Sequence, residues 1–379
     1  MSENKELLLK RIELINFRKF RKRSFEFRSG VTIINGDNGL GKSSLLEAIH
    51  IATNTLSPWT SSNDAIINFQ SDSESYKINA DIEIGEEEFS VTVINRRGES
   101  RYELNGKKVS SAKISERLVS NIFSAEQLDV LMLSPSKRRV FLDSLLGRID
   151  KEYKYNLDLF NKTLRQRNAR LKKLAKDFYE RNIISDNDKE LMIWTDKFID
   201  LSTKLTFTRN EYIERINNLT ESAKIDYSPD LRMNLFEEMA IAEDLKKIHK
   251  KQTLSMLKKD IATGYTNLGA HRDDWRLFAK INGDEDVKDL KNMHRYGSRG
   301  EKRYGIYKIL IGIQKLYNEI LGHYPLLMLD DITSELDDKK IASLFDDNDL
   351  YNQQLIITTI RTDYLPKNIL KNSAIVNLK

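Results

Sequence analysis

Two stretches of this 379-residue chain combine residue types suited to handling a phosphate chain. Gly36-Asp37-Asn38-Gly39-Leu40-Gly41-Lys42-Ser43 places glycines where a backbone must fold tightly enough for its N–H groups to face phosphate oxygens. Lys42 is positioned to neutralise β- and γ-phosphates and the Ser43 hydroxyl to ligate Mg²⁺, with Asn35 and Ser44 flanking the loop. Leu326-Leu327-Met328-Leu329-Asp330-Asp331 supplies the other half, four apolar residues that read as a buried strand ending in two carboxylates. Asp330 is expected in the metal shell, and Asp331 is expected to orient or deprotonate an attacking water. ATP and Mg²⁺ are the cofactors that this pair of motifs predicts.

Such a loop must follow a strand and open a helix. Residues 7–17, 24–27 and 31–34 read as strands, the last running into Asn35-Gly36. Residues 43–52 then carry Leu45, Leu46, Ile49 and Ala52 at helical spacing, before Ser57-Pro58 breaks the pattern. Residues 78–93 alternate, with turn signals at Gly85 and Asn105-Gly106, as in an antiparallel group of strands. From 151 to 258 no run reads as a strand. Phe160, Leu164, Leu171, Leu174 and Phe178 recur at helical spacing, followed by Trp194, Phe198, Leu201, Leu205, Tyr212, Ile216 and Leu219 in near-heptad order. Two antiparallel helices forming a short arm are expected there. After Gly264 strand signals return, and 326–329 and 355–359 are continuous runs of the kind that complete a parallel sheet. The expected architecture is α/β: a P-loop head with a mixed sheet and an inserted helical arm. Its parts are an N-terminal lobe over 1–150, the arm over 151–258 and a C-terminal lobe over 259–379.

Bulk properties narrow the class further. Hydrophobic residues make up 40% and charged residues 31%, a globular composition with much solvated surface. No apolar run approaches the roughly 20 residues needed to span a bilayer, and the first ten residues lack the apolar core of a signal peptide, so a cytoplasmic protein without a membrane partner is expected. The absence of cysteine removes disulfides and thiolate metal sites. A net charge of +5 neither demands nor excludes nucleic acid. Local clusters are more pointed: Arg18-Lys19-Phe20-Arg21-Lys22-Arg23 holds five cations in six residues, and Lys137-Arg138-Arg139 forms a second block.

Tyr296-Gly297-Ser298-Arg299-Gly300-Glu301-Lys302-Arg303 precedes an apolar helical stretch about thirty residues before the acidic strand. Ser-x-Gly-Glu in that place resembles the signature motif of ABC and SMC ATPases. The resemblance implies that Ser298, Gly300 and Glu301 meet the γ-phosphate bound to an opposite subunit, and that Asp337, in Ser334-Glu335-Leu336-Asp337, crosses the same interface. A finer resemblance, to the bacterial RecF family, runs through nearly the whole chain. It is carried by Leu14-Ile15-Asn16-Phe17-Arg18, Leu45-Leu46-Glu47-Ala48-Ile49, Phe123-Ser124-Ala125-Glu126-Gln127-Leu128, Gln166-Arg167-Asn168 and the stretch from Gly264 through His271-Arg272-Asp273-Asp274. Arg299, Glu301 and Lys302 depart from that family's usual glutamines, and Ala125 and Ala270 from its usual prolines.

The resemblance implies that Arg18 lies near nucleotide phosphates, that Glu126 or Gln127 senses Mg²⁺ or water, and that Thr358 or Thr359 stands at the switch position. It implies an ATP-dependent homodimer gripping double-stranded and gapped DNA, with RecR-like and RecO-like partners loading recombinase at the nucleoid, and weak, slow hydrolysis. Arg21, Lys22, Arg23, Arg138 and Arg139 are the expected phosphate contacts. A transport-coupled ABC ATPase and a nucleotide-gated scaffold without turnover are the competing classes. The long arm and the stretch around His271 speak against the former, and the effect of mutating Asp331 separates the latter.

Overall fold

The structure, a computed structural model, describes residues 5–60, 64–124, 134–181, 188–230, 242–280, 290–331, 336 and 338–379. In chain order its strands and helices begin with β1 (Leu7–Phe17), β2 (Phe20–Glu26), β3 (Val31–Asn35), α1 (Lys42–Asn54), β4 (Ser75–Ile84), β5 (Glu87–Arg96), β6 (Glu99–Leu104), β7 (Lys107–Val109), α2 (Ser111–Ser115) and β8 (Ser120–Ser124). There follow α3 (Pro135–Ile149), α4 (Lys151–Arg181), α5 (Lys189–Asn218), β9 (Ala223–Ser228), α6 (Ala242–Ser255), α7 (Leu257–Thr263) and β10 (Asp274–Ala279). The chain finishes with β11 (Lys291–Asn292), α8 (Met293–Tyr296), α9 (Arg299–Leu321), β12 (Leu326–Asp330), α10 (Asp338–Phe345), β13 (Leu355–Thr359), α11 (Lys367–Asn372) and β14 (Ala374–Asn377).

These elements group into two compact units, one of residues 1–129, 219–223 and 279–379, the other of 130–218 and 224–278. The helical unit therefore starts before 151 and keeps the stretch 259–278, so the lobe boundaries expected at 150 and 258 do not coincide with the compact units.

In the first unit the apolar runs become a five-stranded parallel sheet in the order β14-β3-β13-β12-β8, and β8, β12 and β13 are buried at every residue. The alternating runs become a six-stranded antiparallel sheet, β2-β1-β4-β5-β6-β7. The expected mixed sheet is thus divided into one sheet of each kind. Hairpins form at the two expected turn signals, Gly85 and Asn105-Gly106, all at positive φ, and at Arg97-Gly98, which was not singled out; the paired positive φ of Asn105-Gly106 and Arg97-Gly98 suits the type I′ turn between twisted strands. Alternation in β1 fails at Lys10-Arg11, two consecutive exposed residues, and a register shift against β4 between Leu9 and Arg11 restores it so that Leu9 and Ile12 both face the core.

One core joins both sheets and α1. Gln354, fully buried, fastens them through polar contacts: its Oε1 accepts the Leu9 N–H at 2.8 Å, and its Nε2 donates to the Leu9 carbonyl at 3.0 Å and the Arg28 carbonyl at 2.9 Å. An amide with both ends committed to backbone groups fixes where β1 lies beside the parallel sheet.

In the helical unit α4 and α5 run antiparallel. Arg209 donates to Tyr153 near one end, Arg167 to Thr195 midway, and Arg170 pairs with Asp188 at the other. Apolar residues line the contact as expected, including Phe160, Leu171, Leu191, Phe198 and Leu205. Two arginines are buried among them. Arg167 pairs with Asp260 at 2.9 Å, both fully enclosed, while Arg209 pairs with Asp143 at 2.9 Å and Asp273 at 3.0 Å and donates to the Ala270 carbonyl at 2.7 Å. Asp273 also accepts from Thr206, the Tyr227 hydroxyl and the Asp230 N–H. Burial takes His271 down to about 4, so it is neutral, and its Nε2 lies 3.1 Å from the Thr266 carbonyl, a structural role. The 151–258 stretch also contains β9, a strand beside β10 that periodicity did not reveal.

Removing one member of a buried ionic cluster strands the others. Arg209→Leu leaves Asp143 and Asp273 without their cation and is expected to cost about 3–5 kcal/mol in urea unfolding followed by circular dichroism. Lys154→Ala, which breaks only the exposed pair with Asp158, is expected to leave the midpoint essentially unchanged.

Candidate nucleotide-binding site

β3 delivers the chain to the loop 36–41, and α1 starts at Lys42. Gly41 is the N-cap residue, with φ 99°, and a side chain there would run into Lys19 and Phe20, so only glycine fits. No side chain caps α1 and no acidic residue occupies its first turn. The helix therefore leaves its first N–H groups open toward an anion. Lys42 is buried, with Nζ donating to the Gly36 carbonyl at 2.6 Å and the Asp37 carbonyl at 3.1 Å, which holds the ammonium inside the loop.

The acidic strand meets this loop as expected. Ser43 Oγ lies 3.2 Å from Asp330 Oδ1, and the Thr358 hydroxyl donates to the same oxygen at 2.7 Å while accepting the Asp331 N–H at 2.8 Å. Thr358, not Thr359, thus holds the Asp330 carboxylate and the Asp331 backbone; Thr359 turns to the Arg361 carbonyl. Burial raises the Asp330 pKa above the ordinary carboxylate value, and the bonds from Thr358 and Ser43 and the charge of Lys42 offset only part of this. A hydroxyl beside a desolvated carboxylate is a hard-oxygen pair suited to one side of a Mg²⁺ shell that phosphate oxygens and water complete. Asp331 has φ 51°, a conformation that Asp tolerates better than most residues, and it lines the cavity.

A cavity of about 820 Å³ opens over these groups, lined by Asn38, Gly39, Gly41, Lys42, Ser43, Ser44, Asp330 and Asp331 from the expected set. Arg18 forms part of its wall. The guanidinium is held as a fork, Nε to Glu47 Oε2 at 2.7 Å and Nη2 to Glu47 Oε1 at 2.9 Å, with Nη1 on the Ala65 carbonyl at 2.7 Å. Glu47 is buried and also accepts from Ser57, and its bonds raise the Arg18 pKa further. Asn35 turns aside to Asn377 at 3.1 Å, and Gly36 packs against Leu378. Asn35, Gly36, Asp37 and Leu40 therefore shape the loop without lining the cavity.

Sequence reading missed several contributors. Lys19 donates to the Gly39 carbonyl from above the loop. Ala65, Ile67, Asn68 and Phe69 form a wall, brought there by bonds from Arg18 N–H to the Ile66 carbonyl at 2.6 Å and Asn68 N–H to the Asn16 carbonyl at 2.8 Å. Phe69 is 82% exposed, an uncovered ring at the mouth of the cavity. Nothing local in the sequence ties residues 64–69 to the loop; the one available signal was the Glu47 carboxylate on the helix after it, facing an arginine twenty-nine residues earlier.

Ser298 caps α9. Its Oγ accepts the Glu301 N–H at 3.3 Å and the Glu301 carboxylate accepts the Ser298 N–H at 2.8 Å, a reciprocal capping box. Neither residue, nor Gly300, lines the cavity of its own chain. Glu126, Gln127 and Asp337 lie outside the described residues.

The expected DNA contacts divide. Arg21 and Lys22 are exposed on β2, and Arg23 lies over the Phe25 ring at 5.2 Å. Arg138 is instead buried, with both ends of its fork on Asp274 at 2.7 Å, and Arg139 is half-buried with Nη1 on the Asp273 carbonyl at 2.6 Å. Burial and the charge of Arg209 lower the Arg139 pKa. These two cations stabilise the helical unit, and the expectation that they grip phosphates is corrected.

The chain matches the family described as RecF/RecN/SMC N terminal domain over residues 8–377. It is similar to the DNA replication and repair protein RecF of Clostridium kluyveri, 30% identical over 98% of each chain, and to that of Acetivibrio thermocellus, 27% identical over 93% of each. A solved structure of the recombination mediator protein RecF-ATPrS in the RecFOR pathway has a TM-score of 0.78 at 27% identity, covering 97% of this chain and 96% of the other. An SMC head bound to the C-winged helix domain of ScpA shares the fold, with a TM-score of 0.51 at 20% identity over 94% of this chain and 90% of that one. Fold and site together define a P-loop ATPase head of the SMC-like class. Within that class the chain belongs to the RecF family.

The Asp330 environment has a measurable consequence. A carboxyl whose folded pKa is raised contributes stability at low pH that is lost as pH rises through that pKa. Asp330→Asn is therefore expected to melt no lower than the parent at pH 7.5 without nucleotide, while losing Mg²⁺-dependent binding of a fluorescent ATP analogue. In the parent, Mg²⁺-dependent binding is expected to weaken as acid protonates Asp330, beginning above the ordinary Asp pKa of about 3.9. Full Mg²⁺ dependence in the Asn variant would remove Asp330 from the shell.

Proposed function

We propose that this chain is an ATP-dependent DNA-binding protein of the RecF type, a slow, DNA-stimulated ATPase. In this reading ATP pairs two heads face to face, and the dimer clamps duplex DNA beside single-strand gaps. RecR-like and RecO-like proteins act with it to promote recombinase loading in the cytoplasm, at the nucleoid. The observation that carries the reading is the division of the site's residues. Lys42, Ser43, Asp330 and Asp331 surround one cavity, whereas Ser298, on an uncovered helix N-terminus, lines none of it. A second copy would supply the missing donor.

The roles follow from the contacts. Lys42 and the open N–H groups of α1 bind the phosphate chain, and Arg18, braced by Glu47, adds a cation to the wall without free rotation. Mg²⁺ held by Ser43 and Asp330 would neutralise charge developing on the β- and γ-phosphate oxygens. Asp331, fixed by Thr358, orients the attacking water and takes its proton. The Ser298 hydroxyl retains its hydrogen for donation, because in the capping box its oxygen is the acceptor. Arg21, Lys22 and Arg23 offer exposed or half-exposed positive charge to a phosphate backbone, which holds DNA without reading bases.

Multi-angle light scattering with Mg-ATP, Mg-ADP or no nucleotide tests the reading. A dimer is expected with Mg-ATP alone. Lys42→Ala is expected to remain monomeric, and Asp331→Asn is expected to accumulate as an ATP-bound dimer with turnover reduced at least a hundredfold, the scale of a lost catalytic base. A dimer of the Lys42→Ala variant that still depends on ATP would contradict the assignment.

A further inference from the structure

The α4 helix holds a charged surface that the nucleotide site does not use. Between Leu159 and Lys176 it carries seven cations and no acidic residue. Two are committed: Arg167 is buried on Asp260, and Arg170 pairs with Asp188 and Glu190. The other five, Lys162, Arg165, Lys172, Lys173 and Lys176, are exposed. Lys162, Arg165, Lys172 and Lys176 follow one another at three, seven and four residues, which puts them on one side of the helix. At 1.5 Å per residue the stripe is about 21 Å long. A solvated helix face of this length ordinarily intersperses acids at i+4; here they stand only at its ends, Asp158 before Lys162 and Asp177 and Glu180 after Lys176, with Glu180 3.6 Å from Lys176.

Two aromatic rings stand at the far end of the stripe. Tyr179 is 76% exposed, yet its hydroxyl donates to the Ala262 carbonyl at 3.1 Å, so the ring is held in place with its surface uncovered. Tyr265 is 49% exposed and follows Gly264, which packs against Lys172 and Ala175. Lys258 and Lys259, on the adjoining helix α7, extend the positive field and are exposed. α7 is anchored there by Leu257 and Ile261, which pack with Leu171 and Leu174.

We propose that this face of α4 and α7 binds single-stranded nucleic acid, the phosphates running along the lysine and arginine stripe and unpaired bases stacking on Tyr179 and Tyr265. Positive charge alone would suit any polyanion. The restrained, uncovered ring of Tyr179, with the part-exposed Tyr265 ring beside the same stripe, suits a strand whose bases are free to stack, which a duplex does not offer. The surface shares no residue with the nucleotide site, so binding here requires neither ATP nor pairing of heads, and it stands or falls separately from the clamp.

The test is fluorescence anisotropy of labelled oligo-dT with the full chain and no nucleotide. Lys172→Glu/Lys173→Glu is expected to weaken binding at least tenfold and to flatten its salt dependence. Tyr179→Ala/Tyr265→Ala is expected to weaken it about tenfold, and Tyr179→Phe/Tyr265→Phe to restore most of the loss, because stacking needs the ring rather than the hydroxyl. Lys42→Ala is expected to bind oligo-dT as the parent does, which separates this surface from the clamp. Photocrosslinking of the parent to bromodeoxyuridine-substituted oligonucleotide, expected at Tyr179 or Tyr265, requires no variant to fold. Unchanged oligo-dT binding in the charge-reversal variant would overturn the proposal. So would equal competition by duplex together with no effect of the tyrosine substitutions, or capture of an acidic polypeptide in preference to oligo-dT.

Discussion

A carboxylate that must stay ionised in a largely desolvated position governs the first unit. Asp330 ends β12, near the middle of the parallel sheet, where burial opposes its charge. Three groups from two distant parts of the chain compensate: the Ser43 hydroxyl and the Lys42 ammonium from the start of α1, and the Thr358 hydroxyl from β13. Each is placed by a strand of the same sheet or the helix that follows one. The order β3-β13-β12 is therefore a condition of the chemistry, since a different neighbour would remove either the serine or the threonine from reach. The remaining electrostatic deficit is what a divalent cation and its phosphate ligands relieve, so ligand binding and local stabilisation are linked.

The second sheet and the helical unit answer to other constraints. Buried Gln354 ties β1 to the parallel sheet through backbone groups that would otherwise be unsatisfied near the bulge. β1 in turn delivers Arg18 and Lys19 to the loop, so an amide far from the phosphates fixes cations that meet them. In the helical unit, Arg167 and Arg209 bridge residues distant in sequence, from Asp143 to Asp273. Buried ionic clusters tolerate few alternative geometries, which suits an element whose position, rather than its flexibility, matters.

Much of this was legible before folding. The loop, the acidic strand and both turn signals depend on local spacing, and local spacing is what periodicity reads. Glu47 was visible only as a polar residue on an amphipathic helix, and its pairing with Arg18 arises from tertiary placement. Residues 64–69 carry no phosphate-binding signature; hydrogen bonds to Asn16 and Arg18 bring them to the cavity. Arg138 and Arg139 misled because a basic run looks the same whether it faces solvent or a buried acid, and Asp273 and Asp274 lie more than 130 residues away. For the same reason Arg167 and Arg209, on helix patterns that looked like ordinary arm surfaces, were not recognisable as core.

The central claim is that one working site requires residues of two chains. Mixing two inactive variants tests it directly: Lys42→Ala, which disables the phosphate-binding side, and Ser298→Asp, which keeps a helix cap but replaces the hydroxyl donor with a negative charge. In a two-fold symmetric pair, a mixed dimer contains one site with both defects and one with neither. ATPase assays should find each variant inactive alone and turnover restored in an equimolar mixture to at most about half of the parental value, because each mixed dimer keeps one intact site of two. No recovery on mixing, with both variants folded, would contradict a site shared between chains; full activity of Ser298→Asp alone would remove Ser298 from it.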